Sequence, residues 1–273
     1  MKNRIEEKLE NLQKAGKKAF ITYMTAGLPD MDATKKLLKA QEEAGTDIVE
    51  LGIPFSDPVA DGPVIQNASY QAILRGSSLR KAFTAVKEAR TDCQIPIVFM
   101  MYYNTILHYG VKEFVEKCAE TGVDGLIIPD LPFEEQDELK QYLDKENAPI
   151  LIQLVSPVSK QRVPMILENA RGFVYCVSSM GVTGQQGGFY DTVSDYLKEV
   201  KAQSKIPVMM GFGIKEASDV EFVKDTIDGC IVGTHFVQLL MDSDYNLDAA
   251  KEYISTFKKE LNGEAVVKAA ELQ

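Results

Sequence analysis

Three carboxylates, Glu50, Asp57 and Asp61, fall where an apolar run, Asp47-Ile48-Val49-Glu50-Leu51-Gly52-Ile53, gives way to a proline-rich loop. A carboxylate inside an apolar strand is costly unless it is paired or held protonated by a raised pKa. Glu50 is therefore either a strand-end residue bonded to backbone amides or an acid tuned for proton transfer, and the residues leave both readings open. Pro54, Pro58 and Pro63 fix φ through the loop, which suits a segment that must hold side chains in place. Two carboxylates held near one another can serve as acid and base.

Other chemistries lack their parts. The two histidines, His108 and His235, lie in different units, which argues against a metal-dependent aldolase site; they read as an exposed loop residue and a helix-start residue. A Schiff-base aldolase needs a lysine in or at an apolar strand, and no strand run contains one; the nearest, Lys215, reads as a solvated helix-start residue. No Ser-His-Asp or Cys-His arrangement is visible. Cys93, Cys118, Cys176 and Cys230 are widely spaced and read as buried thiols, neither a disulfide set nor a metal knuckle. A net charge of −10 with no block of Lys and Arg argues against nucleic acid and anionic membranes as partners. A phosphate can still bind an acidic chain where backbone amides at helix N-termini supply the contacts. The charged N-terminal stretch is no signal peptide and no apolar run approaches a membrane span, so a cytoplasmic protein is expected.

These residues must be carried by a scaffold, and the hydropathy pattern specifies one. Eight short apolar runs, 19–25, 47–53, 96–102, 124–129, 149–155, 173–178, 207–211 and 229–233, have the character of parallel strands buried on both faces. Amphipathic stretches separate them: 31–44, stopped by Gly45, and 112–121, stopped by Gly122, bury one face each. The wide gap after the second run holds two helical patterns, around 63–74 and 78–91, which implies an inserted helix. Residues 4–14 form an extra N-terminal helix suited to closing a barrel floor, and 247–262 a final one. Pro164 leaves the start of its helix uncertain. The expectation is an α/β fold, one (β/α)8 TIM barrel domain over residues 1–273; alternation alone does not show closure, so an open doubly wound sheet remains the alternative.

In such a barrel the active site lies at the carboxyl ends of the strands. That rule selects Glu50 and Asp61 after strand two, Tyr102, Tyr103 and Asn104 after strand three, Asp130 after strand four and Tyr175 within strand six. It also selects the glycine turns Gly181-Val182-Thr183-Gly184, Gly211-Phe212-Gly213 and Gly233-Thr234, where backbone N–H groups can approach a phosphate.

The run ELGIPFSDPVADGP at 50–63, followed by VIQNAS, together with MYYN at 101–104, PDLPFEE at 129–135, GVTG at 181–184, GFGI at 211–214 and Val-Gly-Thr from 232, resembles the alpha subunit of tryptophan synthase over nearly the whole chain. The resemblance implies a lyase of tryptophan biosynthesis that cleaves indole-3-glycerol phosphate to indole and glyceraldehyde 3-phosphate. It implies Glu50 as the catalytic carboxylate and Asp61 as the acceptor of the indole N–H. Tyr23, Tyr102, Tyr175 and Thr183 would contact the substrate, Thr183 on a closing loop hinged at Gly181 and Gly184. Gly184, Gly213, Gly233 and Thr234 would grip the phosphate. Pro54, Phe55, Ser56 and Asp57 would meet a beta subunit, in an alpha-beta heterotetramer, and the pyridoxal phosphate would be the partner's, with no cofactor or metal on this chain. Three segments depart from the usual pattern: Ser179-Met180, Gln185-Gln186 and Thr234-His235-Phe236. Two other readings are carried, a barrel isomerase of a phosphorylated substrate and a weakly catalytic subunit that mainly activates its partner.

Overall fold

The computed structural model describes residues 2–177, 189–211 and 213–266. Its strands are β1 (Ala19–Thr25), β2 (Ile48–Gly52), β3 (Ile97–Met100), β4 (Gly125–Ile127), β5 (Ile150–Leu151), β6 (Gln153–Val155), β7 (Val174–Val177), β8 (Val208–Gly211) and β9 (Gly229–Val232). All pair in parallel, in the order β5-β4-β3-β2-β1-β9-β8-β7-β6. The two outermost strands are one stretch of chain interrupted only at Ile152, so eight strand positions run round a nearly closed barrel. The fifth apolar run thus pairs with β4 through its first half and with β7 through its second.

The helices are α1 (Arg4–Lys14), α2 (Met31–Ala44), α3 (Pro63–Leu74), α4 (Leu79–Ala89), α5 (Tyr103–Tyr109), α6 (Val111–Thr121), α7 (Asp137–Leu143), α8 (Val163–Leu167), α9 (Phe189–Gln203), α10 (Thr234–Asp242) and α11 (Leu247–Leu261). Gly45 and Gly122 end α2 and α6 in the left-handed conformation, with φ of 106° and 82°. Helix α3 is the insertion after β2, entered through Pro63 in its first turn. Pro164 sits in the first turn of α8, which has five residues. Two local expectations change. The third apolar run stops as a strand at Met100, and α5 begins at Tyr103, so His108 is helical. After β8 the connection is a 3-10 segment, Ala217–Val223, where an α-helix would be usual.

Alternation along β1 and β2 sorts the side chains. Ile21 and Ile48 join an interior cluster with Val98, Ile127, Ile150 and Ile231, plugged from below by Ile5 and Leu9 of α1. Phe20, Met24, Val49 and Leu51 face outward into the larger core beneath the helices, where Phe20 stacks on Phe257 at 4.2 Å. Glu50 is one step above Ile48 on the inward side.

The floor of the barrel is held by aspartates that precede strands. Asp47, Asp124 and Asp228 accept the backbone N–H groups of Phe20, Ile97 and Val208 on neighbouring strands, at 2.8, 2.8 and 2.6 Å. Asp124 is buried and also takes Arg90 at 2.7 Å and Arg4 at 2.9 Å. Asp124→Ala will leave Arg90 without its carboxylate and Ile97 N–H without its acceptor, costing about 3–5 kcal/mol of stability. A lowered urea midpoint with normal turnover in the folded fraction is the expected outcome; an unchanged midpoint would remove the floor from the list of stabilising contacts.

Candidate active site

A cavity of about 760 Å³ opens at the carboxyl ends of the strands. Its lining brings together Tyr23 of β1, Glu50 of β2, Asp61 of the following loop, Tyr175 of β7, Gly213 beyond β8, and Gly233 and Thr234 beyond β9. Met100, Ile127, Pro129 and Leu154 supply an apolar wall. Thr183 and Gly184 lie outside the described residues, as do the hinge Gly181 and the segments Ser179-Met180 and Gln185-Gln186.

Glu50 is only 4% exposed, and its Oε2 has no hydrogen-bond partner among the described residues. Burial, with the nearby Asp61 adding to it, pushes its carboxyl up to about 8. The backbone-bonded alternative therefore does not hold for that oxygen. Because Val49 and Leu51 point outward, the low-dielectric setting is built by other strands: Tyr23 is paired beside Glu50 in register, and Tyr175 adjoins it electrostatically. Both phenols are themselves pushed up by burial and stay neutral.

Asp61 is half-buried, and burial raises its carboxyl while a hydrogen bond from Tyr102 opposes that shift. The Tyr102 hydroxyl receives the Ala60 N–H at 2.9 Å and donates to Asp61 Oδ2 at 3.0 Å. Its ring stacks on Phe55 at 5.0 Å. Tyr102 is not part of the cavity wall. Its hydroxyl fixes the loop that carries Asp61. Ser69 completes the clamp, receiving the Phe55 N–H at 2.8 Å and donating to the Phe55 carbonyl at 2.9 Å. Asp130 has a similar supporting part, accepting the Tyr103 N–H at 2.9 Å at the start of α5.

Two glycines make room for the inward tyrosines. A Cβ on Gly52 would fall 2.0 Å from the Tyr23 hydroxyl, and one on Gly211 would fall 2.3 Å from the Tyr175 ring. Both end strands that neighbour the tyrosine's own, so the phenol lies across bare backbone. Gly52→Ala will displace Tyr23 from the wall, at a cost of about 1–3 kcal/mol in stability and about ten-fold in kcat/KM. Thermal melts and steady-state kinetics measure both; unchanged kinetics would show that Tyr23 does not shape the site.

Beside these tyrosines, Gly213 (φ 74°) and Gly233 turn the chain after β8 and β9, and Thr234 opens α10. A Cβ on Gly233 would sit in ordinary van der Waals contact with Tyr23 Cβ at 3.7 Å and Ile65 Cδ1 at 3.9 Å, so Gly233 packs beside Tyr23 without crowding. The cavity also takes in Ser156, Ser159, Lys215, His235 and Gln238, which the sequence did not single out as binding residues. All follow strand ends, the only signal that could have found them.

The family model described as tryptophan synthase alpha chain matches residues 9–266. The chain belongs to the tryptophan synthase alpha chain family. A tryptophan synthase alpha chain from Lachnospira eligens is 64% identical over 262 residues, covering 95% of this chain and 99% of the relative. One from a Thermoanaerobacter species is 43% identical over 263 residues, covering 95% of this chain and all of the relative (100%). Among solved structures, tryptophan synthase subunit alpha from Legionella pneumophila superposes with a TM-score of 0.87 at 32% identity, over 96% of this chain and 99% of that one. A tryptophan synthase chain from M. tuberculosis gives 0.84 at 31% identity, over 95% and 99%. The alpha-chain family fold and the barrel seen here are the same. Among the described residues no group of three or more His, Cys, Asp or Glu side chains could hold a metal ion, and no helix is long and apolar enough to cross a membrane. All four cysteines are buried and free.

Proposed function

We propose that Glu50 is both acid and base, and Asp61 the electrostatic partner, in the cleavage of indole-3-glycerol phosphate. The chain is a tryptophan synthase alpha subunit, a lyase of tryptophan biosynthesis that releases indole and glyceraldehyde 3-phosphate from that substrate. The observation that carries the assignment of roles is the buried Glu50 carboxyl, pushed up to about 8 within the cavity, with no partner for its Oε2 among the described residues.

The bond to be broken joins indole C3 to a carbinol carbon. Carbon C3 leaves poorly until it is protonated. Glu50 in its acid form delivers that proton, and the indole nitrogen becomes an iminium N–H. Asp61 accepts a hydrogen bond from this group and stabilises the positive charge as it develops. Glu50, now a carboxylate, takes the proton of the carbinol hydroxyl. The C–C bond breaks, its electron pair neutralises the iminium, the carbonyl of glyceraldehyde 3-phosphate forms, and Glu50 is again protonated. One group can serve in both senses only if its pKa lies near the working pH, which burial supplies here. The apolar wall receives the indole ring, and the glycine turns after β8 and β9 with the α10 N-terminus receive the phosphate. Gly184 and Thr183 complete the grip and the closure in this reading, and Tyr23 and Tyr175 flank the ring.

The family implies a beta-subunit partner. In our reading the assembly is an alpha-beta heterotetramer in the cytoplasm, this chain forms one domain over residues 1–273, and the pyridoxal phosphate belongs to the partner alone. Pro54, Phe55, Ser56 and Asp57 are assigned to the interface. Ser56 and Asp57 are exposed, and Val59 in the same loop exposes an apolar side chain next to Ala60 of the cavity lining. The test is indole release from indole-3-glycerol phosphate by the purified chain, with and without a cognate beta subunit. Indole that increases on adding the partner is the expected result. Bound substrate with no indole in either condition would overturn the catalytic roles.

A further inference from the structure

Indole-3-glycerol phosphate carries a dianionic phosphate, and the turns assigned to it offer more than backbone amides. Lys215 follows the β8 turn by two residues beyond Gly213, and His235 is the second residue of α10. Both line the cavity that holds Glu50. Tyr253 of α11 ties the two turns together. Its hydroxyl donates to the Lys215 carbonyl at 2.8 Å, and its ring packs 5.4 Å from the His235 imidazole.

Two carboxylates of the same segment are engaged by backbone N–H groups. Asp219 accepts the N–H groups of Lys215 and Glu216 at 2.8 and 2.9 Å, and the Glu216 side chain accepts a backbone N–H of the same 3-10 turn. Among the described residues the Lys215 ammonium has no ion-pair partner, and the His235 imidazole has only the Tyr253 ring. A free ammonium and an imidazole at the mouth of an acidic protein, flanking turns that face a phosphate, are built for an anion.

We propose that Lys215 and His235 bind the substrate's phosphate through their side chains, adding an ammonium and an imidazole N–H to the grip of Gly213, Gly233 and Thr234. The inference rests on the lyase reading above. The pair acts on the phosphate and not on the reacting carbon, so it sets KM and leaves kcat nearly unchanged.

The test compares the parent with Lys215→Met, Lys215→Arg, His235→Gln and the Lys215→Met/His235→Gln double variant, each as the complex with its beta subunit. Steady-state cleavage is measured together with inhibition by inorganic phosphate. Lys215→Met and His235→Gln should each raise KM and the phosphate inhibition constant about five-fold, and the double variant about twenty-fold, with kcat within two-fold. Lys215→Arg should stay near the parent. Thermal melts identify any variant whose fold has changed, and Lys215 is exposed, so that variant in particular should fold. A KM and a phosphate inhibition constant unchanged in the double variant, with the parent cleaving normally, would overturn the role of this pair alone. A parent that releases no indole would instead strike at the lyase reading.

Discussion

Glu50→Gln will lower kcat for indole release by about 10³-fold or more while the chain stays folded and still binds the phosphate end of its substrate. General acid or base catalysis by one positioned group is worth roughly 10²–10⁴-fold, and here one carboxyl performs both transfers. The amide keeps the shape of the side chain and its place beside Tyr23 but can neither deliver a proton to indole C3 nor take one from the hydroxyl. KM should change little, since the phosphate is gripped by other residues, on the turns after β8 and β9. Near-parental turnover in this variant would rule out the proposed mechanism.

The same residue gives the chain a pH signature. The folded pKa of Glu50 is raised to about 8, above the ordinary carboxylate value, so the native state holds a proton that the unfolded chain has released. Between about pH 5 and 8 this makes stability fall as pH rises. In Glu50→Gln that loss is absent, so the variant should become more stable than the parent as pH is raised through that window. Activity falls at the upper end of the same range: kcat/KM of the parent should decline above about pH 8 as the acid form is titrated away. The site stores its reactivity as a stability cost, which is why the chemically silent variant is expected to be the sturdier protein.

Much of this was legible in the chain, for identifiable reasons. The strands were, because residues buried on both faces of a barrel leave near-continuous apolar runs, and the stops at Gly45 and Gly122 were, because left-handed caps favour glycine. Closure was not. It depends on the stretch around Ile152 pairing on one side with β4 and on the other with β7, and no local pattern carries that information. Helix α5 was hidden in the same way, since its start is held by Asp130, 27 residues further along. In the site, an acid inside an apolar run pointed to Glu50, but the source of its raised pKa did not, since Val49 and Leu51 face away and the packing comes from Tyr23 and Tyr175 on other strands. Tyr102 shows the limit most clearly. Its position after a strand placed it at the carboxyl ends, but that its hydroxyl holds Asp61 and Ala60 is set by the path of a loop some 40 residues earlier (41 and 42 positions away).

Asp61→Asn should lower kcat by about 10²–10³-fold, the loss expected when one group aimed at developing charge is neutralised. The asparagine can still accept the Tyr102 hydrogen bond through Oδ1, so the loop should keep its course and the deficit reports charge, not displacement. Tyr102→Phe provides the contrast: it removes the hydrogen bond but leaves the carboxylate, and should cost less than about ten-fold in kcat with about 1 kcal/mol of stability. A second reading is independent of rate. Asp61 adds to the upward push on Glu50, after burial, so removing its charge should move the alkaline limb of the pH profile below 8, though not back to an ordinary carboxylate. If Asp61→Asn and Tyr102→Phe lose activity equally and neither shifts that limb, Asp61 serves to shape the loop, and the stabilisation of the indole nitrogen must come from elsewhere in the cavity.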